Sequence, residues 1–98
     1  MAQMISSGFT FESEDRQRLV SIQKPLGLTL EALDEYAPSG VVVAGVGTGS
    51  NAERAGVVVG DTLLAVGNVD VSKSSLEVVM EAIGNSPGRV LNLRFLKR

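Results

Sequence analysis

The sequence predicts an α+β fold that is mostly β: a small antiparallel barrel or sandwich of five to six strands, capped by one short and one longer α-helix. The length of 98 residues suits one hydrophobic core and is short for two. Hydrophobic residues make up 44% of the chain and charged residues 20%, which is the composition of a chain that folds. Short apolar runs recur between turn residues, and one longer stretch has helical spacing.

The start of the chain is less regular than the rest. Residues 1–17 mix small polar residues with Phe9 and Phe11 and carry several acidic side chains. They are predicted to be an N-terminal extension, either flexible or forming an extra strand. Residues 18–98 are then predicted to form the domain.

The first two strands of the domain are predicted on either side of a proline. Residues 19–22 are rich in β-formers and end at Lys24-Pro25, where proline removes a backbone donor and restricts the residue before it. Residues 26–31 alternate apolar and polar side chains. This spacing predicts a second strand with one buried face.

A buried strand and a very short helix follow. The valine-rich run 41–46 predicts a strand that is well buried. Ser50 or Asn51 is expected to cap a helix over residues 51–55. Gly56 stands just after this helix, where a left-handed backbone conformation is common.

The next segment is predicted to be a tight hairpin. Residues 62–66 are another apolar run, and Gly67-Asn68 has the composition of a two-residue turn. Residues 69–71 would return from this turn. Near the end of the chain, residues 89–96 alternate and predict the last strand.

The longer helix is predicted between the hairpin and the last strand. Four apolar residues fall at spacings of three, four and three, which places them on one helical face. These residues are Leu76, Val79, Met80 and Ile83. Ser75 is interpreted as the N-cap, and the helix is expected to end near Gly84.

Composition excludes most catalytic chemistry. The chain has no His and no Cys, so it cannot build His- or thiolate-ligated zinc sites, disulfides or a Ser-His-Asp triad. No enzymatic activity, cofactor or metal is predicted. Nine basic and eleven acidic residues give a net charge of -2. Because the basic residues are scattered, nucleic acid is not a predicted partner.

The same composition bears on the expected compartment. No apolar run approaches the roughly 20 residues that a membrane span needs, and the first residues lack the pattern of a signal peptide. A soluble intracellular protein is therefore expected. A monomer is expected, with a dimer as the alternative.

Two stretches bear a partial likeness to sites of other chemistry. Residues 41–49 are a hydrophobic strand that runs into glycines, superficially like a dinucleotide-binding turn. That fingerprint needs a glycine where Ser50 stands and a long helix, which Gly56 would end after about one turn. Ser72 and Lys73 are neighbours in sequence, but such neighbours do not face one another on a helix. The polar stretch 72–75 is therefore interpreted as a helix start.

Three stretches are similar to a known family. Residues 25–28 stand where that family has a Gly-Leu-Gly-Phe type loop, with Pro25 for the first Gly and Leu28 for Phe. Residues 49–61 carry Gly-Ser-x-Ala, Ala-Gly and Gly-Asp at the spacing of the family's short-helix region, and residues 63–66 begin the hairpin after it. In these stretches the chain resembles a PDZ domain. The Lys-Pro-Leu-Gly sequence at residues 24–27 also looks like PDZ domains of photosynthetic organisms, which adds the plastid stroma to the cytoplasm as an expected compartment.

The resemblance implies a module that binds the C-terminal segments of other proteins by adding them as a strand between the second strand and the long helix. A glycine-containing turn can point successive N-H groups at an anion, so the amides of Leu26, Gly27 and Leu28 would hold the ligand's carboxylate. Leu76, first on the helix, would face the third residue from the ligand's end. Apolar ligand side chains are therefore expected at the last and third-from-last positions. The implied peptide-binding residues are Leu26, Gly27, Leu28, Thr29, Leu30, Leu76, Met80 and Ile83.

Simpler interpretations exist for these residues. Any one of the apolar side chains could be core, and Lys24 is interpreted as a solvated loop charge rather than as a contact for the carboxylate. A second functional hypothesis is a regulatory or assembly domain of a larger protein, such as a protease or a membrane-associated scaffold. Its groove would be occupied by its own chain, with residues 1–17 as a candidate to cover a strand edge.

Overall fold

The computed structural model of the chain describes residues 16–34 and 36–98. Most of the predicted N-terminal extension, including the strand expected around Phe9 and Phe11, lies outside the described residues. Within them, the chain forms six strands and two helices. In chain order these are β1 (Gln17–Gln23), β2 (Leu28–Ala32), β3 (Val41–Val46), α1 (Asn51–Arg54), β4 (Thr62–Val66), β5 (Val69–Asp70), α2 (Leu76–Asn85) and β6 (Val90–Leu96).

The strands form one antiparallel sheet in the order β1-β6-β4-β3-β2, and β5 pairs with β4 beside this path. The predicted antiparallel fold with one short and one longer helix is confirmed. Of the two forms predicted for the sheet, the closed barrel is not formed, since no pairing joins β1 to β2 within the described residues. Both β1 and β2 are consequently edge strands.

The core lies where the alternating faces of β3, β4 and β6 meet α2. In β6 the side chains of Leu91, Leu93 and Phe95 are buried and those between them are exposed. Val79 of α2 is also fully buried. Burying each such side chain stabilises the fold by about 1.5–3 kcal/mol. This packing fixes α2 across the sheet and leaves a gap between its outer face and β2.

Both helices begin where the sequence predicts. The Ser75 hydroxyl accepts a hydrogen bond from the N-H of Val78 at 3.2 Å, and α2 starts at Leu76. The Ser50 hydroxyl accepts from the N-H of Glu53 at 3.1 Å at the start of α1. These bonds satisfy backbone donors that a helix leaves without partners in its first turn. Among the described helices, none has the length and apolar character needed to cross a bilayer.

Strand boundaries differ most from the prediction at the starts of β1 and β2. β1 starts at Gln17, two residues before the predicted apolar run, since its pairing with β6 extends over polar residues. β2 starts at Leu28, so the two residues before it belong to a loop. The hairpin turn has a positive φ at Gly67 (58°) and none at Asn68, as in a type II′ turn.

A buried ion pair holds the region before β4 to the residues after β6. Asp61 is fully buried, and its carboxylate accepts from the ammonium of Lys97 and from the N-H groups of Val58 and Arg98. Burial raises the pKa of Asp61, but the hydrogen bond from Lys97, the two N-H groups and the charge of Lys97 together outweigh it. The pKa of Asp61 therefore lies below its ordinary value.

Candidate functional site

A groove of about 270 Å³ runs between β2 and α2. Seven of the eight residues predicted to bind peptide line it, from both walls. They are Leu26, Leu28, Thr29 and Leu30 on the strand side and Leu76, Met80 and Ile83 on the helix side. Gly27 does not line the groove and lies in the loop at its end.

The walls of the groove differ in how deeply they are buried. Leu30 is only 8% exposed, so it belongs to the core as well as to the groove floor. Met80 is 53% exposed and forms the outer rim of the helix side. The side chains of Leu26, Leu28, Leu76 and Ile83 are partly buried against the core. The groove therefore presents apolar surface that a second molecule could cover.

Within the described part of the chain, the strand wall is an open edge. The carbonyl of Gly27 accepts from the N-H of Gly47 at 2.8 Å, and the N-H of Leu33 donates to the carbonyl of Gly40 at 3.0 Å. Both bonds point from β2 toward β3. Because the backbone groups of a strand alternate in direction, those of Leu28 and Leu30, at the positions between, point toward the groove. These are the groups through which another strand can pair with β2.

The loop at the end of the groove requires glycine at position 27. Gly27 has φ of +79°, in the left-handed region that other residues avoid. A Cβ there would come too close to the Cβ of Ser50, and 3.1 Å from its hydroxyl oxygen. The sequence resemblance points to Gly27, but it gives no sign of the contact with Ser50.

The start of α1 holds this loop in place. The carbonyl of Leu26 accepts from the N-H of Ala52 at 2.9 Å. The side-chain amide of Asn51 donates to the carbonyls of Gln23 at 2.8 Å and Pro25 at 3.1 Å. Sequence reasoning treated Asn51 only as a helix start, because nothing local indicates a partner nearly thirty residues earlier. These bonds use the carbonyl groups of the loop as acceptors, and they involve none of the N-H groups of the loop.

The N-H groups of Leu26 and Gly27 have no acceptor among the described residues. Backbone donors without partners are uncommon in folded proteins unless water or a ligand meets them. Both donors belong to the loop at the end of the apolar groove.

Lys24 does not have the role that the sequence suggested. It was interpreted as a solvated charge, but its ammonium donates to the carbonyl of Ser86 at 2.7 Å, in a partly buried contact. Its N-H also donates to the carbonyl of Arg89 at 2.7 Å. The cation therefore lies at the C-terminal end of α2, where the helix dipole and free carbonyls favour it. Lys24 joins the loop to the end of the helix that forms the other wall.

Among the described residues, no ionisable side chain lines the groove, and two hydroxyls of the polar stretch 72–75 have structural partners. The hydroxyl of Ser72 donates to the carboxylate of Asp70 at 2.7 Å, and that of Ser75 caps α2. Gly47, in the glycine-rich turn, donates to the loop carbonyl of Gly27. The arrangement is thus that of a binding groove, with an apolar floor, an open strand edge and backbone donors at one end.

Comparison with known proteins identifies the family to which the chain belongs. A family model described as PDZ domain matches residues 42–97, more than half of the chain. The chain belongs to the PDZ domain family, a family of binding modules, and the prediction made from its sequence motifs is confirmed. The matched span begins after β2, so the loop and the strand wall of the groove lie outside it.

Solved structures share the fold along most of the chain. INAD PDZ3, determined in complex with the tail of the TRP channel, is similar with a TM-score of 0.75 and 29% identity, over 92% of this chain and 95% of that one. Dlg1 PDZ2 of the choanoflagellate Monosiga brevicollis is similar in fold, with a TM-score of 0.66 and 20% identity over 80% and 89% of the two chains. A search of curated proteins found no match.

Proposed function

We propose that this domain binds the free C-terminal ends of other proteins by adding them as a strand to β2. The observation that supports this most directly is the open edge of β2 beside an apolar groove that ends in a loop with unaccepted N-H groups. Strand addition of this kind gains affinity from main-chain hydrogen bonds and selectivity from side-chain pockets.

The ligand strand runs antiparallel to β2 in this proposal. Its last residue lies opposite Leu28 and its third-from-last opposite Leu30, because the groups of these two residues face the groove. The side chains of those ligand residues point to one face, since side chains alternate along a strand. That face meets the apolar walls of the groove.

The terminal carboxylate is held by the amides of Leu26, Gly27 and Leu28. No basic side chain among the described residues lines the groove, and the ammonium of Lys24 donates to the carbonyl of Ser86. The anion is therefore stabilised by oriented backbone dipoles rather than by an ion pair. A micromolar Kd, about -8 kcal/mol, suits a short peptide that loses conformational entropy when it becomes ordered.

The side-chain preference follows from the groove lining. Leu76 is the first residue of α2 and lines the groove together with Leu30. Leu76 has no hydrogen-bonding group, so a ligand hydroxyl buried against it would lack a partner at a cost of about 1–3 kcal/mol. The preferred ligands end in apolar, any residue, apolar. The tail-bound state of INAD PDZ3, which is 29% identical, is consistent with a peptide-binding role for this chain.

The test is a library of peptides with free C-termini, followed by titration of the best ligand in acid and amidated forms. The amide should bind at least about tenfold more weakly, because it removes the anion that the loop amides hold. Met80→Asp should also block binding. Val78→Asp is the matched control, since Val78 is 51% exposed on the same helix and does not line the groove. Equal binding of acid and amide, or equal effects of the two variants, would contradict the proposal.

A further inference from the structure

A second cavity, of about 290 Å³, continues the groove at the N-terminal end of α2. It lies between that helix end and the segment that follows β2. Leu76 lines both the cavity and the groove, so the two spaces are adjacent. The lining of the cavity also includes Ala32, Asp34, Tyr36, Ser39 and Glu77.

The charged residues among the described lining are both acidic, Asp34 and Glu77. One carboxylate oxygen of Asp34 accepts from the N-H of Tyr36 at 2.9 Å, which leaves the other oxygen available. Glu77 lies in the first turn of α2 and is exposed. The ring of Tyr36, 90% exposed, also lines the cavity and offers an aromatic face that attracts cations.

The register of the ligand strand against β2 determines which ligand residue reaches this cavity. The last and third-from-last residues lie opposite Leu28 and Leu30, so the fifth from the end lies opposite Ala32, two residues further along β2. Ala32 lines the cavity, and side chains two apart in a strand point to the same face. The fifth side chain from the ligand's end therefore points into it.

We propose that this cavity selects a basic side chain, Lys or Arg, at the fifth position from the end of the peptide ligand. The inference rests on the proposed function and extends it to a specificity position beyond the apolar groove. A cation there would lie between Asp34 and Glu77, with its aliphatic stem on the apolar surface of Leu76. Since both carboxylates are exposed, each contributes modestly and is screened by salt.

The experiment uses the full chain and three peptides that differ at one residue. The parent is Gly-Ser-Lys-Ser-Val-Ser-Val with a free carboxylate, and the other two carry Gln or Glu in place of Lys. Kd is measured by fluorescence anisotropy at low and high NaCl. The chain variants are the double variant Asp34→Asn with Glu77→Gln, and Glu81→Gln as the matched control. Asn keeps the side-chain oxygen that accepts from Tyr36, and Glu81 is an exposed carboxylate on the same helix outside the lining.

The Lys peptide should bind about three- to tenfold more tightly than the Gln peptide, and the Glu peptide most weakly. This preference should shrink at high salt and disappear in the double variant, but remain in Glu81→Gln. Equal binding of the Lys and Gln peptides to the unmodified chain would overturn the inference, as would an equal loss in Glu81→Gln. If the Gln peptide binds through its free carboxylate and Lys adds nothing, this inference fails alone. If no free-carboxylate peptide binds, the proposed function fails as well.

Discussion

Replacing Gly27 with Ala is expected to lower the stability of the protein through two separate effects. A non-glycine residue in the left-handed region costs about 1–2 kcal/mol. The added Cβ also meets the Cβ of Ser50, and forcing atoms into a packed site costs about a further 1–3 kcal/mol. Gly27→Ala should therefore lower the free energy of unfolding by about 2–5 kcal/mol.

Gly49 provides the matched control. Its φ of +75° is close to the +79° of Gly27, but a Cβ at position 49 has nothing within 4 Å. Gly49→Ala should thus show the backbone cost alone, about 1–2 kcal/mol. The difference between the two variants measures the contact with Ser50.

A second substitution tests the contact directly. Ser50→Gly removes the Cβ that a side chain at position 27 would meet, and glycine at an N-cap costs only about a few tenths of a kcal/mol. In the double variant, Gly27→Ala with Ser50→Gly, stability should recover to near that of Gly49→Ala. Non-additivity of this kind is expected for residues in contact.

Stability is measured by urea unfolding followed by far-UV circular dichroism, since the chain has no Trp and one Tyr. Affinity for the best C-terminal peptide is measured on the same variants. Gly27→Ala should weaken binding even where the protein is folded, because the loop amides move with the residue. Equal destabilisation by Gly27→Ala and Gly49→Ala, with no rescue by Ser50→Gly, would refute the close packing of loop and helix.

Two further predictions concern the helix wall and the buried ion pair. Leu76→His should shift the library preference toward Ser or Thr at the third residue from the ligand's end, because imidazole can hydrogen-bond the hydroxyl; an unchanged preference in a folded variant would count against this register. Because the pKa of Asp61 is lowered in the folded state, the stability from its ion pair is present above about pH 4 and is lost as the pH falls through that lowered value. Lys97→Met should cost about 2–3 kcal/mol at neutral pH and should weaken the acid-induced loss, so that the stabilities of the variant and the unmodified chain converge as the pH falls, as followed by urea unfolding at several pH values. An unchanged pH profile in that variant would show that Lys97 does not control Asp61.

The elements that the sequence predicts well are those with local causes. Ser75 caps α2 in the structure because its hydroxyl reaches an N-H three residues later, a contact that spacing alone indicates. The alternation in β6 likewise reports which side chains are buried. Gly56 has φ of +91° after α1, as its position predicts. Such features depend on residues that are neighbours in sequence.

The parts of the site that sequence reasoning missed depend on distant partners. Lys24 is hydrogen-bonded to Ser86, and Asn51 to Gln23. The residues of each pair lie far apart in sequence, so no local pattern indicates these contacts. The start of β1 at Gln17 is also nonlocal, because it pairs with Leu96 near the other end of the chain. The residues that line the groove were predicted from the family resemblance, because apolar periodicity alone does not distinguish a groove from a core.

The pairing of β1 with β6 has a consequence for how the domain is assembled. It joins the first and last described strands, so a large loop must close before these two strands can pair. The loop after β1 depends on the same end of the chain, because both hydrogen bonds of Lys24 end on residues just before β6. During synthesis on the ribosome, the loop at the end of the groove can therefore form its bonds with α1 first, and it gains those of Lys24 only after residues 86–89 have emerged.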